Sequence, residues 1–200
     1  MIKKKIVLTG IGGQGIILAS TILGHALTRE GYDVRISEVH GMAQRGGEVR
    51  STIAIGYHGA IAGRGEADVI LGFEPSETYK VVHLASKDSW IITNTHRIVP
   101  TTVSLGKSEY PPTEEILAAI REVNSNLIAL DANRMAREAG NEITANVVML
   151  GALSAIEVLP ITREAILEET KNRVPPKAVE VNLRSFEAGY GYIKNELGKR

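Results

Sequence analysis

Gly10-Ile11-Gly12-Gly13-Gln14-Gly15 stands between the apolar run Ile6-Val7-Leu8 and the helical stretch Ile16-Ile17-Leu18-Ala19. A strand, a glycine turn and a helix start, in that order, build a corner that favours anions. Glycines let a ligand approach the backbone closely, and the unbonded N–H groups and dipole of a helix start attract negative charge. Gly10, Gly12 and Gly15 also satisfy G-x-G-x-x-G, the dinucleotide fingerprint. Tight packing of strand on helix, with no ligand at all, accounts for the same glycines.

Outward from this corner, the pattern predicts a strand over Lys4–Thr9 and a helix over Gly15–Glu30, closed by Gly31 in a left-handed cap. Strands follow over Tyr32–Val39, Val49–Gly56 and Asp68–Phe73, with turns over Tyr57–Ala67. Next come a helix over Pro75–Ala85, a buried strand over Trp90–Thr93 and an extended edge over Val99–Leu105. A helix over Glu114–Asn124, a strand over Asn126–Asp131 and a short helix over Asn133–Glu138, stopped at Gly140, complete the alternating part. The remainder reads as helix: Ala145–Val158, apolar almost all round and therefore buried, Thr162–Arg173, and a last helix from Pro175-Pro176 to Leu197. No linker or internal repeat divides residues 1–200, which implies a single domain. The expected fold is α/β, with a Rossmann-like, mostly parallel sheet and a helical C-terminal third. The connection His40–Glu48 is too short for a crossover helix, so strands two and three form an antiparallel pair. The first half of a standard dinucleotide fold is then incomplete.

Two hundred residues suffice for a domain with a real core, and 44% hydrophobic with 23% charged residues fits a globular protein. Lysine and arginine number 23 and so do the acids, giving a formal net charge of zero. No global field draws in nucleic acid or a membrane surface, while near-zero charge favours association with a protein partner. The chain has no cysteine, which excludes disulfides, zinc–thiolate sites, iron–sulfur clusters and a cysteine nucleophile. That composition fits a cytoplasmic protein. Lys3-Lys4-Lys5 reads as a solvated strand start, and the apolar stretch Val147–Leu153 is far too short to span a bilayer. The five histidines (25, 40, 58, 83 and 96) lack metal-ligand spacing, and no serine sits in a G-x-S-x-G elbow.

A second glycine loop, His40-Gly41-Met42-Ala43-Gln44-Arg45-Gly46-Gly47, is carried by the chain to the same sheet edge as the first. The candidate ligand-binding set is therefore Gly12, Gly13, Gln14 and Gly15 with His40, Gln44, Arg45, Gly46 and Gly47. Arg45 offers a bidentate clamp for a phosphate or carboxylate. His40 is either a loop histidine bonded to a backbone carbonyl or a catalytic group. Asn146 is either a hydrogen-bond partner near a helix start or part of the rim. Glu38 stands 23 residues after Gly15, where a nicotinamide-binding fold places its ribose acid. That alternative is a free-standing NAD(P)-dependent oxidoreductase. A further alternative is an assembly module whose glycine loops are buried at a protein interface.

The two loops, Gly-Ile-Gly-Gly-Gln-Gly at 10–15 and Ser37-Glu38-Val39-His40-Gly41-Met42-Ala43-Gln44-Arg45-Gly46-Gly47, resemble those of the gamma-type subunits of 2-oxoacid:ferredoxin oxidoreductases. The resemblance runs over essentially the whole chain, including Asn146-Val147-Val148-Met149-Leu150-Gly151-Ala152 and Val181-Asn182-Leu183-Arg184-Ser185-Phe186. The His-Gly-Met-x-Gln-Arg-Gly-Gly form of the second loop is similar to the arylpyruvate branch, that of the small (beta) subunit of indolepyruvate:ferredoxin oxidoreductase. The pyruvate and 2-oxoglutarate branches typically carry a Tyr/Phe-Gly-Pro-Glu type of loop there. The resemblance implies decarboxylation of an arylpyruvate on thiamine diphosphate, transfer of the acyl group to coenzyme A, and electrons leaving through iron–sulfur clusters to ferredoxin. It also implies that this chain binds no cofactor alone. Thiamine diphosphate, magnesium and the clusters belong to the large (alpha) partner subunit, on which this chain docks and whose active-site rim it completes. The chain by itself is then inactive and holds no catalytic residue. Its two loops either cradle coenzyme A or serve only to dock, and replacing Arg45 by alanine tests the cradle.

Overall fold

Ile6, Val7 and Leu8 are fully exposed to no solvent at all: each has zero accessible surface, at the centre of a six-stranded sheet. The structure is a computed structural model that describes residues 2–41, 47–100, 103, 105–106 and 109–199. Its strands are β1 (Lys4–Ile11), β2 (Val34–His40), β3 (Glu48–Ile55), β4 (Ala67–Gly72), β5 (Ala85–Asn94) and β6 (Leu127–Leu130), in the spatial order β2-β3-β1-β4-β5-β6. β1, β4, β5 and β6 are parallel, whereas β3 runs antiparallel to both β1 and β2. The expected antiparallel pairing of strands two and three is present, and β3 also inserts between β2 and β1.

The helices are α1 (Ile16–Arg29), α2 (Pro75–Val81), α3 (Thr113–Val123), α4 (Ala132–Ala139), α5 (Ala145–Ala155), α6 (Arg163–Arg173) and α7 (Val179–Leu197). Alternate residues of each central strand feed opposite faces. Ile6, Leu8, Val69 and Leu71 pack with α1 and α4–α7, while Val7, Ile70 and Ile91 pack with α2 and α3. The helical C-terminal third thus covers one face, with the apolar α5 buried in its middle.

Local chemistry sets the element ends. α1 closes as the sequence predicts: Gly31 N–H bonds Thr28 O and Tyr32 N–H bonds Leu27 O, a Schellman pair around a left-handed glycine. Thr162 caps α6 by accepting from Ala165 N–H at 3.2 Å. Two expectations need correction. β5 begins at Ala85 rather than Trp90, because the polar residues before Trp90 find partners: Ser89 Oγ donates to Ala67 O, and Asn124 Nδ2 donates to Ser86 O at 2.7 Å and to Ser89 O at 3.1 Å. No strand forms over Val99–Leu105 among its described residues, where Val103 N–H turns back to Pro100 O instead of joining a ladder.

Glu169 joins α6 to α1. Its side chain is 5% exposed and accepts from Arg173 Nε at 2.7 Å and Arg29 Nη1 at 3.3 Å. Burial pushes its carboxyl up, but the two guanidinium groups outweigh that and hold it below the ordinary range. A depressed folded-state pKa contributes stability above the unfolded value and loses it as pH falls through the folded one. Glu169→Gln is therefore expected to cost about 2 kcal/mol at pH 7. The gap to wild type should close below about pH 4 in urea unfolding followed by circular dichroism.

Candidate functional site

The chain leaves β1 towards β2 and β3 on one side, and β4 leads to β5 and β6 on the other. The carboxyl ends of β1 and β4 are therefore a topological switch point, where open α/β sheets leave a crevice. The glycine turn lies there. Gly13 and Gly15 have φ of 104° and 75°, and Gly15 is the residue before α1. A Cβ on Gly15 would sit 2.6 Å from Asn146 Nδ2, so the start of α5 presses on this turn. Among the described residues no side chain caps α1 and no acid occupies its first turn, so the helix start presents its positive dipole end to an anion.

A set of amides braces the turn. Gln14 Oε1 accepts Ile11 N–H at 2.7 Å, and Gln14 Nε2 donates to Phe73 O at 2.8 Å, tying the turn to the end of β4. The buried Asn94 donates to the same Phe73 O and to Asn133 Oδ1, and accepts from Ala132 N–H and His96 N–H. Gly12 N–H bonds Gly47 O at 2.9 Å, which joins the two glycine loops directly.

The turn separates two clefts. The smaller, of about 380 Å³, is lined by Gly12, Gly13, Gly15, Ile17, His40 and Val49 among others. The larger, of about 480 Å³, also touches Gly12 and Gly13 but runs towards Asn94, His96, Ile98, Glu142 and Ile143. The Glu142 carboxyl is held below its usual range, first by the hydrogen bond from Asn133, with Arg137 and His96 adding to it. The clefts thus differ: the start of α1 and His40 line the smaller, and the Glu142 carboxylate with His96 lines the larger.

Of the sequence-predicted set, Gly12, Gly13, Gly15, His40 and Gly47 come together at one sheet edge. Gln14 uses both ends of its amide as a brace and also lines the larger cleft. Gln44, Arg45 and Gly46 lie outside the described residues. His40 is the last ladder residue of β2, opposite Val49, rather than the start of a loop, and its ring has no hydrogen-bond partner among the described residues. Asn146 donates to Gly15 O at 3.4 Å, in keeping with a structural partner. Glu38 is exposed on β2, and the intervening β3 sets that strand two ladder spacings, about 10 Å, from β1. A ribose acid for the fingerprint turn belongs on a strand adjacent to β1. Asn94, Asn133 and Glu142 were not found by sequence reasoning. Among the described residues no cluster of three or more histidines and acids could hold a metal ion, and no helix is long and apolar enough to cross a membrane.

The family described as pyruvate ferredoxin/flavodoxin oxidoreductase matches residues 5–192 of the chain. The indolepyruvate oxidoreductase subunit IorB of Thermococcus kodakarensis is 43% identical over 196 residues, covering 96% of this chain and 97% of that protein. Its namesake from Pyrococcus horikoshii is 44% identical over 195 residues, covering 96% of each. Among solved structures, the gamma subunit of a keto/oxoacid ferredoxin oxidoreductase from Geobacter sulfurreducens superposes with a TM-score of 0.70 at 24% identity. It covers 95% of this chain and 98% of that one, which shows the fold.

Proposed function

Because the chain belongs to the pyruvate ferredoxin/flavodoxin oxidoreductase family, we propose that it is the small, gamma-type subunit of an oxidoreductase that converts arylpyruvates of the indolepyruvate type to aryl-acetyl-coenzyme A and reduces ferredoxin. The observation that carries this reading is the full-length identity of 43% and 44% to two indolepyruvate oxidoreductase subunits. The His-Gly-Met-x-Gln-Arg-Gly-Gly segment at 40–47 supports the arylpyruvate branch. The reading places the complex in the cytoplasm.

The residues do not fit the family's redox groups. With no cysteine the chain offers no thiolate to an iron–sulfur cluster. Those groups, with thiamine diphosphate and its magnesium, belong on a large partner subunit. The role left to this chain is to dock there and present its carboxyl sheet edge. At that edge the start of α1, the N–H groups of Gly13 and Gly15, and His40 suit the phosphates of coenzyme A, and Gly47 joins the same edge through its bond to Gly12. From the sequence alone, Gln44, Arg45 and Gly46 are proposed to add to this set. Steady-state assays of the assembled complex test the substrate class. The expected kcat/KM for indolepyruvate or phenylpyruvate is at least about tenfold above that for pyruvate or 2-oxoglutarate. Equal or reversed values reject the arylpyruvate assignment.

A further inference from the structure

Glu74, which follows β4, is completely buried, an uncommon place for an ionisable group. Its carboxylate takes four donors from three segments. Oε2 accepts Ser76 Oγ at 2.7 Å and Glu77 N–H at 3.1 Å, which caps α2. Oε1 accepts Ile98 N–H at 3.4 Å and the phenol of Tyr110. The Arg97 guanidinium lies 4.4 Å from the centre of the Tyr110 ring. The long connection between β5 and α3 therefore has both its outgoing and its returning arm fastened to one carboxylate.

Capping alone does not call for this residue. Serine, aspartate or asparagine caps a helix with a shorter side chain. The extra length of glutamate brings a second oxygen to Ile98 and Tyr110, across from the helix. Ile98 and the nearby His96 line the larger cleft, whose other lining includes Gly12 and Gly13. His96 N–H is in turn held by Asn94 Oδ1 at 3.3 Å. The geometry points to Glu74 and Tyr110 as a clasp that positions the His96–Ile98 wall of the switch-point cleft. On the function proposed above, coenzyme A seated with its phosphates at the start of α1 meets this wall by extending past Gly12 and Gly13, which line both clefts. Burial, and then the bond to Glu74, push the Tyr110 phenol up to about 12, so it stays a donor throughout the neutral range.

Two substitutions separate clasp from cap. Glu74→Asp keeps a capping carboxylate for α2 but is too short to hold the connection as well. Tyr110→Phe removes one arm, together with the Tyr110 contact to Ser76, and keeps the Glu74 carboxylate on Glu77 N–H. Amide hydrogen exchange and steady-state kinetics are measured on the assembled complex. Both variants are expected to exchange faster at residues 95–99 and 109–110 alone. KM for coenzyme A should rise about fivefold with kcat within about twofold. Unchanged exchange in both variants overturns the clasp, as does faster exchange spread equally over β1 and β4, which marks a purely structural carboxylate. Local loosening with an unmoved KM upholds the clasp and rejects coenzyme A as the occupant of the cleft, so the two failures are distinguishable.

Discussion

Gly189→Ala is expected to lower the unfolding free energy by about 3 kcal/mol or more, the upper range for overpacking a core. α5 and α7 touch backbone to backbone. A Cβ on Gly189 would lie 1.9 Å from Val148 O and 3.0 Å from Ala152 N, and one on Gly151 would lie 2.0 Å from Phe186 O. These neighbours are main-chain atoms, so no rotamer change relieves the collision and the helices must separate. Separation would loosen the larger of the two hydrophobic clusters, in which Val148, Leu150, Phe186 and Ile193 are all buried. Gly191, on the same helix, meets nothing within 4 Å and provides the control. Gly191→Ala should stabilise by about 0.5–1 kcal/mol through helix propensity alone. Guanidinium unfolding of the two variants should therefore give shifts of opposite sign. Equal shifts in the same direction would show that the close crossing is not what stabilises the C-terminal layer.

Gly13→Asp should raise KM for coenzyme A about tenfold relative to Gly13→Asn. The two side chains are nearly isosteric and meet the same left-handed backbone, φ 104°, with open space around the Cβ position. Their strain cancels in the comparison, leaving one negative charge in front of α1. At about 6 Å from a phosphate and an effective dielectric constant near 40, that charge costs about 1.4 kcal/mol, or tenfold. Two signatures identify the cause. The ratio should shrink as ionic strength rises. The aspartate variant should also be the more stable of the pair by about 0.5 kcal/mol, because its charge favours the helix dipole. A ratio near one at low salt would remove the anion from this cleft.

Much of this architecture is written locally in the chain. The apolar run before Gly10 and the apolar face after Gly15 leave few options besides β1 and α1, and Gly31 ends α1 with the bonds its residue type favours. The short connection at 40–48 dictates an antiparallel pair. It does not dictate that β3 inserts beside β1, because strand order depends on long-range pairing, and that insertion is what distances Glu38 from the glycine turn. The braces of the site were equally hidden. Gln14 bonds a carbonyl 59 residues away, and Asn94 bonds partners 38 and 39 residues away. Nothing in their immediate neighbours marks these amides as different from surface ones. For the same reason the sequence does not show that Gln14, besides lining the cleft, holds the turn. Val99–Leu105 has strand-like residues, yet the Ile98 N–H just before it is committed to the buried Glu74.

On the proposed function, this chain works only as part of a larger oxidoreductase. The most direct measurement is anaerobic affinity purification of the tagged chain from its native host, with arylpyruvate- and coenzyme A-dependent dye reduction assayed in the eluate. A large, cysteine-rich, thiamine-binding chain is expected to co-elute, with activity in that fraction and not with the small chain alone. Recovery of the chain by itself, with no such activity in the eluate, would contradict it.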